Sequence, residues 1–281
     1  MTAIEKGPAR LAFAPEVGGA VAGFTVAGRD VLRPMAMGAA DALLTASFPL
    51  VPFCNRIPNG RFGFEGREVV LPPNLGDHPH ALHGQGWRGV WTVEKAERGE
   101  AVLSYDHPAG DWPWSYRAEQ RFVLGEHGFR AELSVINTGG TTMPAGLGFH
   151  PYFPRREGEV LTAANDGVWL IDTEVLPTIH HPGPWEADWA AGAPVEGHGL
   201  IDHCYTGWNQ RAVLSAPGQP DTVITASPEC RWLHVYVPPG EAYLCVEPCA
   251  SRPDPFGEGE TGVVALRPGD SRSIWMEIAT G

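Results

Sequence analysis

The sequence predicts an all-β protein, a large twisted antiparallel β-sandwich, and three observations lead there. Gly and Pro supply 35 and 27 of the 281 residues, and both are unfavourable in the interior of a helix. No stretch long enough for a stable helix carries an apolar stripe of helical period. Many short segments instead alternate apolar and polar residues, which is the pattern of half-buried strands.

The clearest strands are two neighbouring segments, SYRAEQRFVL at 115–124 and FRAELSVIN at 129–137, with the polar turn GEHG at 125–128 between them. Their alternation, rich in aromatic and β-branched residues, indicates an antiparallel pair with one buried face. Further strands are predicted at 90–95, 101–106, 222–226, 231–237, 242–247 and 272–278, and a short strand lies within 200–208.

Connections are predicted from turn chemistry. Asn59-Gly60 favours a two-residue hairpin turn, because both residues accept positive φ. The Pro-, Gly- and Trp-rich stretch 180–199 is interpreted as a long loop with room for one short helical turn. Neither a repeat nor a linker divides the chain, so residues 1–281 are expected to form one domain.

Charge and composition exclude several functional classes. There are 33 acidic and 20 basic residues, a net charge of −13, and no basic cluster. Nucleic-acid binding is therefore not expected, because it requires a basic surface that releases counterions from phosphates. Binding to an anionic membrane surface is disfavoured for the same reason. No apolar run approaches the roughly 18 residues of a membrane span.

The cysteines and the amino-terminal segment predict a cytoplasmic, reduced protein. Pro15 and Glu16 interrupt the first apolar stretch, which makes a poor secretory signal. The five cysteines are odd in number and form no CxxC pair, so neither a disulfide framework nor a zinc motif is indicated. They are Cys54, Cys204, Cys230, Cys245 and Cys249.

The segment GDHPHALHGQGW at 76–87 holds three histidines, His78, His80 and His83. On an extended chain His78 and His80 project to one face, as the HxH pair of a cupin metal site does. The carboxylate that would complete such a site is absent until Glu94. Loop histidines without a ligand are common, and both interpretations remain open at this point.

Two further segments could carry acid–base chemistry. His150, in GLGFHPYFP, is flanked by aromatic residues, so it either faces an aromatic-rimmed cavity or is a hydrogen-bonded core histidine. Glu247, in AYLCVEPCA, closes an apolar strand. Burial there would raise the pKa of the carboxyl group and make it a general base; the alternative is a strand-end glutamate in water.

Arg56 and Asp202 are candidates for binding a polar ligand. Arg56 lies between an apolar run and the Asn59-Gly60 turn. A guanidinium group there either caps carbonyls or pairs with a structural carboxylate, or it binds sugar hydroxyls or an anion. Asp202 lies on the short predicted strand after the long loop and could equally cap a turn. Ten tryptophans in an acidic β-protein favour carbohydrate as the ligand, since indole stacks on pyranose faces. The candidates for stacking are Trp87, Trp91, Trp112 and Trp114.

Taken together, five segments resemble the aldose 1-epimerase (galactose mutarotase) family, in its shorter bacterial branch. They occur in the family's order, and the strand pattern around them fits from about residue 10 to the carboxyl terminus. The segments are NRIPNGRF at 55–62, ALHGQGW at 81–87, GFHPYF at 148–153, the Asp-containing strand at 201–205 and LCVEPCA at 244–250.

The resemblance implies a galactose mutarotase-like supersandwich that interconverts the α and β anomers of a free aldose. By this analogy Glu247 is the base that removes the C1 hydroxyl proton, and His150 is the acid that protonates the ring oxygen. His83 steadies charge near that oxygen, while Arg56 and Asp202 hold sugar hydroxyls. The resemblance implies no metal and no other cofactor, and a small sugar as the partner, and it leaves the oligomeric state open.

Three alternatives remain beside this interpretation. A non-catalytic sugar-binding or regulatory module could use the same fold, although a pure binder has no need of both an acid and a base. A sugar-phosphate 1-epimerase would need cations at the far end of the pocket, with Arg88, Arg155 and Arg156 as candidates. A cupin-like metalloenzyme would use the three histidines of segment 76–87.

Overall fold

The computed structural model describes residues 2–281, and none of these is α-helical. Three single-turn 3-10 helices, Ala42–Leu44, Pro58–Gly60 and Gly86–Arg88, interrupt a succession of strands. In chain order the strands are β1 (Thr2–Lys6), β2 (Ala9–Ala14), β3 (Ala20–Val26), β4 (Arg29–Asp30), β5 (Ser47–Leu50), β6 (Arg56–Ile57), β7 (Arg61–Phe64), β8 (Arg67–Val70), β9 (Ala81–Leu82), β10 (Thr92–Glu97), β11 (Glu100–His107), β12 (Tyr116–Leu124), β13 (Gly128–Asn137), β14 (Met143–Ala145), β15 (Gly148–Pro154), β16 (Val160–Ala163), β17 (Gly167–Ile171), β18 (Pro177–Pro182), β19 (Ala193–Pro194), β20 (Ile201–Thr206), β21 (Arg211–Ser215), β22 (Thr222–Ala226), β23 (Trp232–Val237), β24 (Tyr243–Cys249), β25 (Val264–Leu266) and β26 (Ser271–Thr280).

Two large sheets contain most of these strands. The first has 11 strands in the order β1-β2-β3-β5-β15-β24-β23-β20-β17-β18, with β4 paired to β3. The second has nine strands in the order β10-β11-β12-β13-β26-β22-β21-β16-β19. Neighbouring strands run antiparallel, as in the pairs β12–β13 and β23–β24. The remaining strands form three separate two-stranded pairs, β14–β25, β6–β9 and β7–β8.

The two sheets pack face to face and bury an aromatic core between them. Phe13 of the first sheet lies 4.8 Å, centroid to centroid, from Phe122 of the second, and Phe24 lies 4.8 Å from Phe129. Alternate residues of β12 and β13 are buried, as the period of two requires. The predicted fold class, an antiparallel β-sandwich, is therefore confirmed.

The central strands of the first sheet are buried on both faces, and this positions the site. On one face Phe149, Val235 and Val246 join the core between the sheets. Because successive side chains point to opposite faces, His150 and Glu247 project from the other face. There the loops of the chain cover the sheet and leave a pocket.

The predicted strands at 90–137, 222–247 and 272–278 are confirmed, with bounds that differ by at most two residues. The hairpin predicted at Asn59-Gly60 is wrong. Both residues do adopt positive φ, 49° and 64°, but the flanking strands pair elsewhere, β6 with β9 and β7 with β8. A Cβ on Gly60 would lie 2.1 Å from the Leu71 carbonyl oxygen, so the turn requires glycine where the backbone at residue 60 passes close to the backbone at Leu71.

The stretch 180–199 contains no helical turn; the end of β18 and the short β19 lie within it, with irregular chain between them. Within residues 2–281, no helix has the length and apolarity needed to span a membrane.

Candidate active site

The site begins with a row of side chains across five strands of the first sheet. On β15, His150 pairs with Phe48 of β5 on one side. On its other side it faces Glu247 of β24, by the register that pairs Gly148 with Cys249. Glu247 pairs with His234 of β23, which in turn pairs with Cys204 of β20. Antiparallel pairing thus brings an imidazole, a carboxyl group and a second imidazole into adjacent positions.

Above this row lies a pocket of about 200 Å³. It is smaller than the roughly 300–1,000 Å³ typical of sites for drug-sized ligands, which suits a monosaccharide. The sequence predicted five residues for the site, Arg56, His83, His150, Asp202 and Glu247, and all five line the pocket. The other lining residues are Leu43, Asn55, Leu75, Leu82, Tyr152, His234, Tyr236 and Tyr243.

His150 and Glu247 form a close, buried pair. The His150 Nε2 lies 3.4 Å from the Glu247 Oε1, and the two residues are 7% and 2% exposed. Burial raises the pKa of Glu247 well above its ordinary value, and the charge of Asp202 raises it further. Burial, reinforced by His234, lowers the pKa of His150 to about 3. While the pocket is empty, burial thus favours the uncharged forms of both groups, a protonated carboxyl group and a neutral imidazole.

Aromatic rings fix the orientation of His150. Its ring contacts both Phe48 and Tyr152, with centroid distances of 4.5 and 4.7 Å, and these two rings lie 6.2 Å from each other. Phe48 stacks in turn on Trp87 at 5.5 Å, and the Arg33 guanidinium lies 3.7 Å from the centre of the Tyr152 ring. These contacts restrict rotation of the imidazole beside Glu247.

His83 is held by the loop that follows β9. Its backbone adopts φ of 58°, and its Nδ1 accepts the Asn55 backbone N–H at 3.0 Å. The Trp87 indole N–H donates to the carbonyls of Leu82 and Gly84, which secures the loop on both sides of His83. Burial, with the nearby His150, lowers the pKa of His83 well below its ordinary value. His83 is therefore neutral, and since Nδ1 accepts a hydrogen bond, Nε2 carries the N–H that can donate into the pocket.

The two carboxylate oxygens of Asp202 face two different side chains. His234 Nε2 lies 2.6 Å from Oδ1, and the Arg56 Nη2 lies 3.8 Å from Oδ2. Burial alone would raise the pKa of Asp202, but the hydrogen bond from His234 and the charges of His234 and Arg56 outweigh burial and lower it. Asp202 is therefore an ionised carboxylate inside the pocket, able to accept a hydrogen bond from a hydroxyl.

The histidines of segment 76–87 do not assemble the cupin-like metal site. His80 lies outside the pocket, and its Nδ1 accepts the Asn59 backbone N–H at 3.0 Å, much as His83 binds Asn55. His78 also lies away from the pocket lining. Across residues 2–281, the group of three with ligand atoms within 4.8 Å of one another is instead His150, Cys245 and Glu247.

The four tryptophans proposed for sugar stacking do not line the pocket, so that prediction is wrong. All are at most 3% exposed, because their indoles fill the core and support loops. The aromatic lining comes instead from Tyr152, Tyr236 and Tyr243. Sequence analysis also missed His234, although it alternates with Trp232 and Tyr236 on one face of a predicted strand.

Comparison with known proteins identifies the family of the chain. The model of the aldose 1-epimerase family matches residues 2–279. YphB of Escherichia coli (strain K12), a protein of uncharacterised function, is 33% identical over 273 residues, which cover 93% of this chain and 92% of YphB.

Two solved structures extend the comparison. A candidate aldose 1-epimerase from Escherichia coli K12 superposes with a TM-score of 0.93 at 30% identity, covering 100% of this chain and 98% of that one. A galactose mutarotase-like protein from Clostridium acetobutylicum shares the fold, with a TM-score of 0.89 at 20% identity and coverage of 99% and 94%. The chain therefore belongs to the aldose 1-epimerase family.

Proposed function

We propose that the protein is an aldose 1-epimerase that interconverts the anomers of a neutral free aldose. The observation that carries the proposal is the pair His150–Glu247, buried 3.4 Å apart at the base of a sugar-sized pocket. Opening a pyranose ring requires a proton to leave the C1 hydroxyl and another to reach the ring oxygen. An acid and a base on one pocket floor can supply both transfers, and each typically contributes about 10²–10⁴-fold in rate.

The steps conserve protons. Glu247, as the carboxylate, takes the proton of the C1 hydroxyl, while His150, as the imidazolium, donates to the ring oxygen, and the C1–O5 bond breaks. Rotation about C1–C2 presents the other face of the aldehyde. Ring closure then returns a proton from Glu247 to O1 and one from the O5 hydroxyl to His150. Hydroxyl groups of the bound sugar favour this charged form of the pair, because they solvate it where the empty pocket does not.

The remaining polar groups have binding tasks in this mechanism. The His83 Nε2–H donates toward the ring oxygen region, and three Tyr side chains line the pocket beside the sugar. Arg56 and Asp202 hold sugar hydroxyls, because a hydroxyl can accept from a guanidinium and donate to a carboxylate at once. No step requires a group beyond the side chains that line the pocket.

The charges of the pocket favour a neutral sugar over a sugar phosphate. Among the lining residues of the described chain, Arg56 is the single Arg or Lys, and it faces Asp202. The three arginines considered for phosphate binding all lie outside the lining. Arg155 donates to the Pro238 carbonyl, Arg156 binds Glu159 and the Asp30 carbonyl, and Arg88 stacks on Trp87.

The test is anomer exchange measured by NMR over a panel of free aldoses. Parent protein is expected to accelerate exchange for one or two sugars, and Glu247→Gln and His150→Asn each to reduce the rate about 10²-fold or more. Glu119→Gln and His127→Asn, both at exposed positions, are the matched controls and should match the parent. A near-normal rate in either pocket variant removes that residue from its role. Binding of sugar with no acceleration by the parent identifies a non-catalytic binding module.

We also propose that the protein works in the reducing environment of the cytoplasm. All five cysteines are buried free thiols, four of them in the apolar cluster that includes the pocket floor. Free thiols of this kind stay reduced in a reducing compartment.

A further inference from the structure

We propose that His234 is a positioning residue that holds the Asp202 carboxylate away from Arg56, and so keeps open a notch for one hydroxyl group of the sugar. The proposal rests on the proposed function, because it assumes that a sugar occupies the pocket. It adds a residue that the sequence analysis did not select, and it assigns that residue a task separate from proton transfer.

The notch is visible in two unequal distances. The Asp202 Oδ1 lies 2.6 Å from His234 Nε2, which is a short hydrogen bond, whereas Oδ2 lies 3.8 Å from the Arg56 Nη2. Hydrogen bonds between nitrogen and oxygen span about 2.7–3.2 Å, so the second pair is not in direct contact. A hydroxyl oxygen to one side of this gap can accept from Arg56 and donate to Asp202, with both bonds of ordinary length.

Without a restraint, the gap would be expected to close. An arginine and a carboxylate that are 13% and 10% exposed attract strongly and prefer two parallel hydrogen bonds. His234 opposes this closure because its hydrogen bond fixes the other carboxylate oxygen. Arg56 is restrained from its own side, since its Nη1 lies 3.3 Å from the Asn55 side-chain oxygen, which it donates to.

The sheet explains how His234 reaches Asp202. In the register of β20 and β23, His234 pairs with Cys204, and Asp202 pairs with Tyr236. The contact is therefore diagonal, between residues two positions apart on one face. The small side chain of Cys204 leaves space for the imidazole to lean along the sheet toward Asp202. His234 is 4% exposed, and its buried Nδ1 has no partner among the described residues, so the hydrogen bond to Asp202 is the contact that orients the ring.

The experiment compares His234→Phe, which removes the donor, with His234→Gln, which retains one. Dissociation constants are measured by calorimetry for the free aldoses of the NMR panel and for their monodeoxy derivatives, and kcat and KM are measured for any sugar that is turned over. The Phe variant is expected to bind the parent sugar about 10–100-fold more weakly, and the Gln variant to recover most of the affinity. For the one deoxy sugar that lacks the notch hydroxyl, parent and Phe variant should bind equally.

Unchanged affinity in the Phe variant, or a loss of the same size for every deoxy sugar, overturns the proposal, because an effect on folding alone would be uniform. Should the Phe variant not fold, His234→Leu replaces it in a double-mutant cycle with Asp202→Asn. The coupling free energy of sugar binding between the two positions then tests the proposal. Sugar binding by the parent without anomer exchange would refute the proposed function and leave this inference standing. If the parent binds none of the sugars, the notch has no such ligand and the inference is wrong.

Discussion

Replacing Glu247 by Gln is expected to stabilise the protein while it reduces the rate of anomer exchange about 10²-fold or more. The carboxyl group is 2% exposed, and burial raises its pKa well above the ordinary value. The folded protein therefore retains a proton that the unfolded chain releases near pH 4.3. Gln has nearly the same shape and no charge, so the variant escapes the cost of either protonating or burying the carboxylate.

The sign and size follow from proton linkage. A group whose pKa is raised on folding contributes stability that is present below its unfolded pKa and is lost as pH rises toward its folded pKa. Over that interval the parent should lose about 1.4 kcal/mol of unfolding free energy per pH unit relative to the Gln variant, or about 2.7 kcal/mol over two units. His150, whose pKa is lowered to about 3, has the opposite pH dependence, but it is present in both proteins and cancels in the comparison.

The assay is urea unfolding of both proteins at pH 5, 6 and 7, with the difference in unfolding free energy plotted against pH. Glu119→Gln, at an exposed position of β12, controls for the chemical change and should stay within about 0.5 kcal/mol of the parent. A difference for Glu247→Gln that stays constant over the three pH values would refute the claim that burial holds a proton on this carboxyl group.

Three further predictions concern the pocket and its support. The dependence of kcat/KM on pH should be bell-shaped, because activity needs a single proton on the His150–Glu247 pair. The value should fall at low pH, where His150 binds a second proton, and at high pH, where Glu247 loses its proton. A flat pH profile of the initial rates would contradict this. Arg56→Ala should raise KM about tenfold or more with a small change in kcat; steady-state kinetics showing a collapsed kcat at unchanged KM would assign it a catalytic task. His80→Ala should lower the unfolding free energy by about 1–3 kcal/mol in urea titrations, because it leaves the Asn59 N–H without its acceptor, and an unchanged midpoint would show that water replaces the imidazole.

The fold could be predicted because the strands are recognisable from the local pattern of apolar and polar residues. In β12 and β13 every second residue is buried, and the same alternation is legible in the sequence. The Asn59-Gly60 turn was misjudged for the opposite reason. Its positive φ values are a local property and were anticipated, but the pairing of the flanking strands depends on distant segments, which a dipeptide does not encode.

The site divides in the same way. The five predicted residues meet in one pocket, which supports the resemblance that selected them, although their roles and the single-domain organisation remain predictions. His234 could not be identified from the sequence, because its place in the site depends on the register of the strands. Only the pairing of β20, β23 and β24 brings it beside Glu247 and Asp202. The tryptophans misled because an indole fills a core as readily as it stacks on a sugar.

The alternation of the central strands has a consequence for how this protein can diversify. On β24, Val246 points into the core and Glu247 into the pocket, so a single-residue insertion or deletion would exchange them and damage packing and chemistry together. The loops that carry Leu43 and Leu75 to the pocket are under no such constraint. Changes of sugar preference should therefore accumulate by length variation in these loops, while the reacting groups evolve only by substitution in place.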